Sequence, residues 1–185
     1  MKYEPLTSGN YYHIYNCGNN KEDIFIEEKN YPYFLNLIKK YIVPVADILS
    51  YCLLKNHFHL LIKTKDGIDA KTISRAFSDT FNAYAKSINK SYGRTGSLFR
   101  DRFARIRIDD ESYLKSLIIY INSNAVQHGF VSNFREYEHS SFHALVSNKV
   151  TLVKREFVLS LFDGLENFET VMNAKMEILE ELILE

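Results

Sequence analysis

The sequence predicts an α+β fold: a ferredoxin-like antiparallel sheet in the order β-α-β-β-α-β with helices on one face, then a further helix and C-terminal helices. Three observations predict it. Short aromatic or β-branched runs alternate, in that order, with stretches whose apolar residues recur at helical spacing. Two of the runs, 45–54 and 57–64, are separated only by Lys55 and Asn56, the length of a hairpin turn. The chain of 185 residues is 46% apolar with seven Gly and three Pro, enough for one core and too few breakers for disorder.

Each element has its own signal. GNYYHIYNC, residues 9–17, is aromatic and β-prone and reads as the first strand; NNKEDIF is turn-like. Asn30 stands where a helix cap belongs, with Pro32 in the first turn and Phe34, Leu37, Ile38 and Tyr41 at helical spacing; Pro44 ends the helix. VADILSYCLL and HFHLLIKT form the predicted hairpin, closed off by Asp66-Gly67. A helix over 69–90 carries Ile73, Ala76, Phe77, Phe81, Tyr84 and Ile88 as one stripe. SYGRTGS is a loop, and LFRDRFARIRI, 98–108, reads as the fourth strand, alternating from Arg102. Asp109, Asp110 and Glu111 stand where a helix dipole favours acids, and a helix over about 111–127 follows, with Gly129 beyond its end. After 146 come two helical stretches; in the last, Leu165, Phe168, Met172, Met176, Leu179 and Ile183 line one face. The expected division is a domain over 1–147 and a helical extension over 148–185.

Lys+Arg 23 balances Asp+Glu 23, which taken alone argues against a nucleic-acid binder. The balance conceals two unlike parts. Residues 84–107 hold seven cations (Lys86, Lys90, Arg94, Arg100, Arg102, Arg105, Arg107) against Asp101, a charge of +6; residues 165–185 hold six Glu against Lys175, a charge of −5. The basic stretch calls either for a polyanionic partner or for nothing more than a solvated helix face and loop. No apolar run approaches the ~20 residues of a bilayer span, and the first ten residues lack the apolar core of a secretory signal, so a cytoplasmic protein is expected. Cys17 and Cys52 are too few for a disulfide framework or a zinc ribbon.

His57 and His59 stand two apart on the predicted third strand, so both imidazoles share one face, and Phe58, Leu60 and Ile62 take the other, toward the helices. Such a pair can chelate a divalent cation, although a lone H-x-H more often marks surface or half-buried histidines. Tyr120 and Asn124, four apart, share a face of the 111–127 helix. A phenol beside a metal-bound phosphate is a nucleophile, and an amide carbonyl is a hard oxygen donor; with 13 Tyr in the chain, a packing role is the commoner meaning of any one. His13, on a strand beside the third, either lines the site or, the commoner case, is a structural histidine; His139 and His143 carry no assigned role. Phe99 and Phe103, in the basic stretch, read as core rather than as platforms for unpaired bases.

The blocks YYHIYNCGNN (11–20), YCLLKNHFHLLI (51–62), FSDTFNAYAKSINKSYGRTGSLFRDRFARIRID (77–109) and YLKSLIIYINSNAVQHGFV (113–131), with SSFHAL after them, together resemble the IS200-like single-tyrosine transposase family of the HUH endonuclease superfamily, and within it the REP-associated tyrosine transposases. The resemblance covers roughly 9–147, with the blocks in the family's order and spacing. It implies a His-hydrophobic-His metal motif at His57, Phe58 and His59, a nucleophile at Tyr120 and a third ligand at Asn124. It further implies Mg²⁺ or Mn²⁺, although two imidazoles suit Zn²⁺ equally by ligand type. The implied activity is DNA transposition by nicking and rejoining single-stranded or hairpin DNA through a 5′-phosphotyrosine, with no nucleotide cofactor and a nucleoid-associated location. Relatives include monomers and homodimers. Three positions depart from the family: Cys17 where Arg is frequent, Ala125 where Pro follows the Asn, and Gln127-His128 in place of a cation. Three other readings stay open: a domesticated, non-catalytic nucleic-acid-binding protein of the same fold, a metal-dependent hydrolase without a covalent step, and a small-ligand sensor.

Overall fold

The structure is a computed structural model that describes the backbone of residues 4–184 and side chains as far as 177, so the side chains of Leu179 and Ile183 on the predicted apolar face lie outside what is described. Strands β1 (Tyr11–Cys17), β2 (Ala46–Leu54), β3 (His57–Thr64) and β4 (Ala104–Ile108) form one sheet in the order β2-β3-β1-β4. Every neighbouring pair is antiparallel. This is the predicted ferredoxin-like arrangement. Each half of it is a strand, a crossing helix and a return strand that lies two places away, with a strand of the other half between them.

Helices α1 (Asn30–Leu37) and α2 (Ala70–Ser91) cover one face. The alternation of β3 drives this packing: Phe58 sends its ring between them, 5.2 Å from Phe34 of α1 and 5.3 Å from Phe81 of α2. Asp69 caps α2, its carboxylate accepting from the Thr72 amide at 3.0 Å. Asn30 does not cap α1. Its side-chain oxygen reaches back to accept from the amides of Ile26 and Glu27 at 2.9 and 2.8 Å, which braces the preceding turn instead.

Helix α3 (Glu111–Gln127), capped by Asp110 at 2.7 Å to the Tyr113 amide, lies on the other face of the sheet, the one that carries the histidines. The two helices of the ferredoxin-like unit thus share one face, as expected, and the tyrosine-bearing helix that follows takes the other. A closed buried network fastens α3 to β2: Asn122 Nδ2 donates to Ser50 Oγ (3.0 Å), and Asn122 Oδ1 accepts from Ser141 Oγ (2.8 Å). Ser141 belongs to the segment that shields the edge of β2, where the Leu53 amide donates to the His139 carbonyl and the Ser141 amide to the Tyr51 carbonyl.

Strand β4 is shorter than the predicted 98–108. Leu98, Phe99 and Phe103 are buried, and Phe99 and Phe103 pack on Phe81 of α2, which draws 98–103 off the sheet edge into an irregular arc. Helices α4 (Phe142–Val146), α5 (Arg155–Ser160) and α6 (Leu165–Leu184) follow. Phe168 of α6 packs on Phe142 and Phe162, and Arg135 donates to Asn173, so the C-terminal segment joins the main core. No helix among the described residues is long and apolar enough to cross a membrane.

Candidate active site

The pairing register builds the site. In the β1–β3 pair Tyr15 faces His59 and Cys17 faces His57, so His13, Tyr15, Cys17, His57 and His59 share the face beneath α3. The α3 face predicted from the i, i+4 spacing meets them there. The Tyr120 ring stands edge-on to His59 with centroids 5.7 Å apart, and Asn124 Oδ1 lies 3.3 Å from His57 Nε2. His57 and His59 are themselves perpendicular, 5.3 Å apart. The phenol of Tyr120, half-buried, makes no hydrogen bond among the described residues.

Two further contacts set the proton positions of the imidazoles. His57 Nδ1 is 2.7 Å from Asn56 Oδ1, a carbonyl oxygen that only accepts, so the ring proton sits on Nδ1 and the lone pair on Nε2. His59 Nδ1 is 2.8 Å from His13 Nε2. All three rings are held neutral. Burial first, then repulsion from His13, His57 and His128, pushes His59 down to about 2. Burial alone pushes His13 down to about 4. His57 is lowered by burial first and then by His128, against the hydrogen bond that its protonated form would donate to Asn124 Oδ1. Neutral imidazole is the metal-ligating form.

Two imidazole nitrogens and an amide oxygen fit a hard divalent cation that takes its remaining ligands from water and phosphate. Asn124 is fully buried, and its Nδ2 has no hydrogen-bond partner while its Oδ1 faces the lone pair of His57. Two acceptors facing each other at that distance repel unless a cation lies between them or the amide is turned round. Turning it would satisfy Nδ2 and leave Oδ1 without that contact. No group of three or more His, Cys, Asp or Glu among the described residues could hold a metal.

A cleft of about 480 Å³ opens beside the pair, lined by Tyr15, His57, His59, His128, Arg100 and Arg102. Tyr120 lines a separate groove of about 550 Å³, shared with Ile119 of α3 and with Phe162 and Asn167 beyond it. The chain's most basic stretch divides on the sheet. Arg105 and Arg107 pair with Ile14 and Tyr12, both core residues, and so lie on the α2 side, whereas Ala104 and Ile106, paired with Tyr15 and His13, share the histidine face. Arg105 stacks 4.2 Å over Phe103, Arg107 pairs with Asp109 at 2.7 Å, and Arg94 pairs with Glu22. Lys86 and Lys90 are exposed on α2.

A profile of the family described as "Transposase IS200 like" matches residues 7–124. The chain belongs to that family. A curated protein named "Putative REP-associated tyrosine transposase", from Haemophilus influenzae, is 27% identical over 111 residues. The match takes in 56% of this chain and 63% of that protein's length. A solved structure described as the REP-associated tyrosine transposase bound to a REP hairpin superposes with a TM-score of 0.63 at 20% identity, over 80% of this chain and 85% of the other. That likeness shows the fold.

Against this IS200-like frame, the fold unites four of the residues singled out in the sequence: His57, His59, Tyr120 and Asn124. Of the seven cations it brings Arg100 and Arg102 to their cleft. Two neighbours, Asn56 and His128, escaped the sequence reading, and a third, His13, reads there as structural more commonly than as part of the site. His13 and Asn56 hold the two imidazoles from behind, and His128, exposed at the end of α3, stands 4.7 Å from the His57 ring. The alternation of the first strand was the available signal for His13; for Asn56, a turn residue, there was none. Phe99 and Phe103 are core residues, as read. His139 stacks on Tyr31 at 3.5 Å and pairs with Glu28, away from the site.

Proposed function

We propose that this chain nicks and rejoins single-stranded DNA at hairpin-forming sequences through a covalent 5′-phosphotyrosine on Tyr120, with Mg²⁺ or Mn²⁺ held by His57, His59 and Asn124. The observation that carries the reading is the joint approach of Tyr120 to His59 and of Asn124 to His57, beside a cleft edged by Arg100 and Arg102. The solved relative bound to a REP hairpin supports hairpin DNA as the partner.

When bound, the cation would draw charge from the scissile phosphate as a Lewis acid. The rest falls to the chain. Arg100 and Arg102 hold phosphate oxygens and keep the strand over the histidines. The phenol oxygen of Tyr120 forms a bond to phosphorus as the bond to the 3′-oxygen breaks; the phenol loses its proton and the departing oxygen gains one. One phosphodiester is exchanged for another. The free 3′-OH, or that of a second strand, can therefore reverse the step without a nucleotide cofactor. Lys86, Lys90, Arg105 and Arg107 lie on the α2 side and meet only DNA that continues round the β4 edge of the sheet, and Arg94 is paired with Glu22. Tyr120 and the His pair come from one chain, so the proposal assigns the tyrosine to its own chain's histidines.

The test is incubation with single-stranded hairpin oligonucleotides and Mn²⁺, followed by denaturing electrophoresis. Wild-type protein gives a denaturation-resistant protein–DNA band, and Tyr120→Phe retains hairpin binding without it. A band of full strength in Tyr120→Phe overturns the assignment of the nucleophile. Binding without any band in the wild type points to a non-catalytic module of the same fold.

A further inference from the structure

We infer that His13 is a positioning residue: it accepts the Nδ1 proton of His59 and thereby turns the lone pair of His59 Nε2 toward the metal position. The inference rests on the proposed metal role of the His pair and assigns it a partner that neither the sequence motif nor the family match supplies.

The geometry is specific. In the β1–β3 register His13 lies diagonally across from His59 on the same face, and their nitrogens, His13 Nε2 and His59 Nδ1, are 2.8 Å apart. The rings are near-parallel, 24° apart, with centroids at 5.0 Å. Both are buried, at 6% and 8% exposure, so water does not readily replace either as the other's partner. One proton must lie between the two nitrogens, and there are two ways to place it. If His13 donates, His59 carries its own proton on Nε2 and has no lone pair there for a cation. If His59 donates, its Nε2 is free to ligate and His13 carries its proton on Nδ1.

His57 shows how the choice is made when the partner is a carbonyl: Asn56 Oδ1 cannot donate, and the tautomer follows. Metal-ligating histidines ordinarily take such a carbonyl, carboxylate or water behind them. His59 instead has an imidazole, which can play either part. Tyr15 packs on both rings, at 4.9 Å from His13 and 5.9 Å from His59, and fixes their planes. The tautomers of His59 and His13 are therefore coupled: a cation on His59 Nε2 requires His13 Nε2 to accept, and an accepting His13 favours cation binding.

The first test needs no substitution. Imidazole ¹⁵N–¹H correlation spectra of wild-type protein at pH 7.5 should report the His59 proton on Nδ1 once Mg²⁺ is added. A His59 ring that keeps its proton on Nε2 at saturating Mg²⁺ overturns the inference. The second test is Mn²⁺ binding, read from the loss of the free-ion electron paramagnetic resonance signal. His13→Phe keeps a ring and removes the acceptor; it should weaken Mn²⁺ binding by roughly 10- to 100-fold. His13→Gln, whose amide oxygen can accept near the same place, should recover most of the loss. Metal-free hairpin binding and the urea midpoint serve as controls for a merely structural effect. His59→Ala separates the two layers of the argument. Wild-type affinity in His59→Ala removes the metal reading itself. Loss in His59→Ala with wild-type affinity in His13→Phe removes only the role of His13. Should His13→Phe fail to fold, the spectra decide.

Discussion

Replacing Asn122 with Leu tests what holds the tyrosine helix in register. Asn122 is fully buried and its amide makes three hydrogen bonds: to Ser50 Oγ at 3.0 Å, to the Ile118 carbonyl at 2.8 Å and from Ser141 Oγ at 2.8 Å. Leu is close in volume but satisfies none of them. The two hydroxyls keep each other at 2.9 Å, and Ser141 Oγ still accepts from the Tyr51 amide at 3.0 Å, so the loss is partial. At about 1 kcal/mol for each bond, with some added desolvation, the expected cost is roughly 2–4 kcal/mol. For a domain of this size that lowers the melting temperature by on the order of 10 °C. Urea unfolding followed by circular dichroism measures the first figure and calorimetry the second. The functional consequence separates this network from ordinary core packing. Asn122 lies between Tyr120 and Asn124, so at temperatures where the variant is folded, adduct yield should fall by more than hairpin affinity does. A loss under about 0.5 kcal/mol together with full adduct yield would show that the Ser50–Asn122–Ser141 network does not position α3.

The metal-free protein should lose stability in mild acid. His13 and His59 are held neutral in the folded state, at about 4 and about 2, but titrate near 6.5 when unfolded. Their contribution is therefore complete above pH 6.5 and falls as the unfolded chain takes up protons below it. Between pH 7.5 and 5.5 the two should cost roughly 2–3 kcal/mol, read as a lower urea midpoint; a midpoint unchanged over that interval would contradict their neutral, buried state. Changing Arg100 and Arg102 together to Gln should reduce the slope of log affinity for hairpin DNA against log salt by about 1 to 2; an unaltered slope would remove both from the DNA path. Gly18→Ala should destabilise by at least about 1–3 kcal/mol, because a Cβ there would stand 1.9 Å from the Glu22 carbonyl oxygen. That backbone cannot yield freely, since the Gly18 amide donates to the Asn56 carbonyl at 2.7 Å in the turn before His57. Equal urea midpoints for Gly18→Ala and wild type would mean the 18–22 turn is looser than this packing requires.

What was legible in the sequence was what depends on local periodicity. The two-residue turn at Lys55-Asn56 fixed the hairpin, the alternation of 57–64 put both imidazoles opposite Phe58, and the four-residue spacing put Tyr120 and Asn124 on one face. What was not legible depends on register between distant segments. Nothing local says that Tyr15 pairs with His59, yet that pairing makes His13 the neighbour of His59 rather than of some other residue. The basic stretch makes the same point in reverse. Seven cations in 24 residues look like one patch on paper, but strand pairing sends Arg105 and Arg107 to the α2 side of the sheet, while the arc of 98–103 brings Arg100 to the histidine cleft and sets Arg102 on the border between that cleft and the one beside α2. That arc exists because Phe99 and Phe103 are worth more beneath α2 than in an edge strand. The aromatic residues that bind no DNA in this reading are thus what deliver two of the arginines to it. It follows that truncating Phe103, a core residue, should displace Arg100 and Arg102 and weaken hairpin binding beyond what its loss of stability, read from the urea midpoint, explains; unchanged hairpin affinity in Phe103→Ala would refute this.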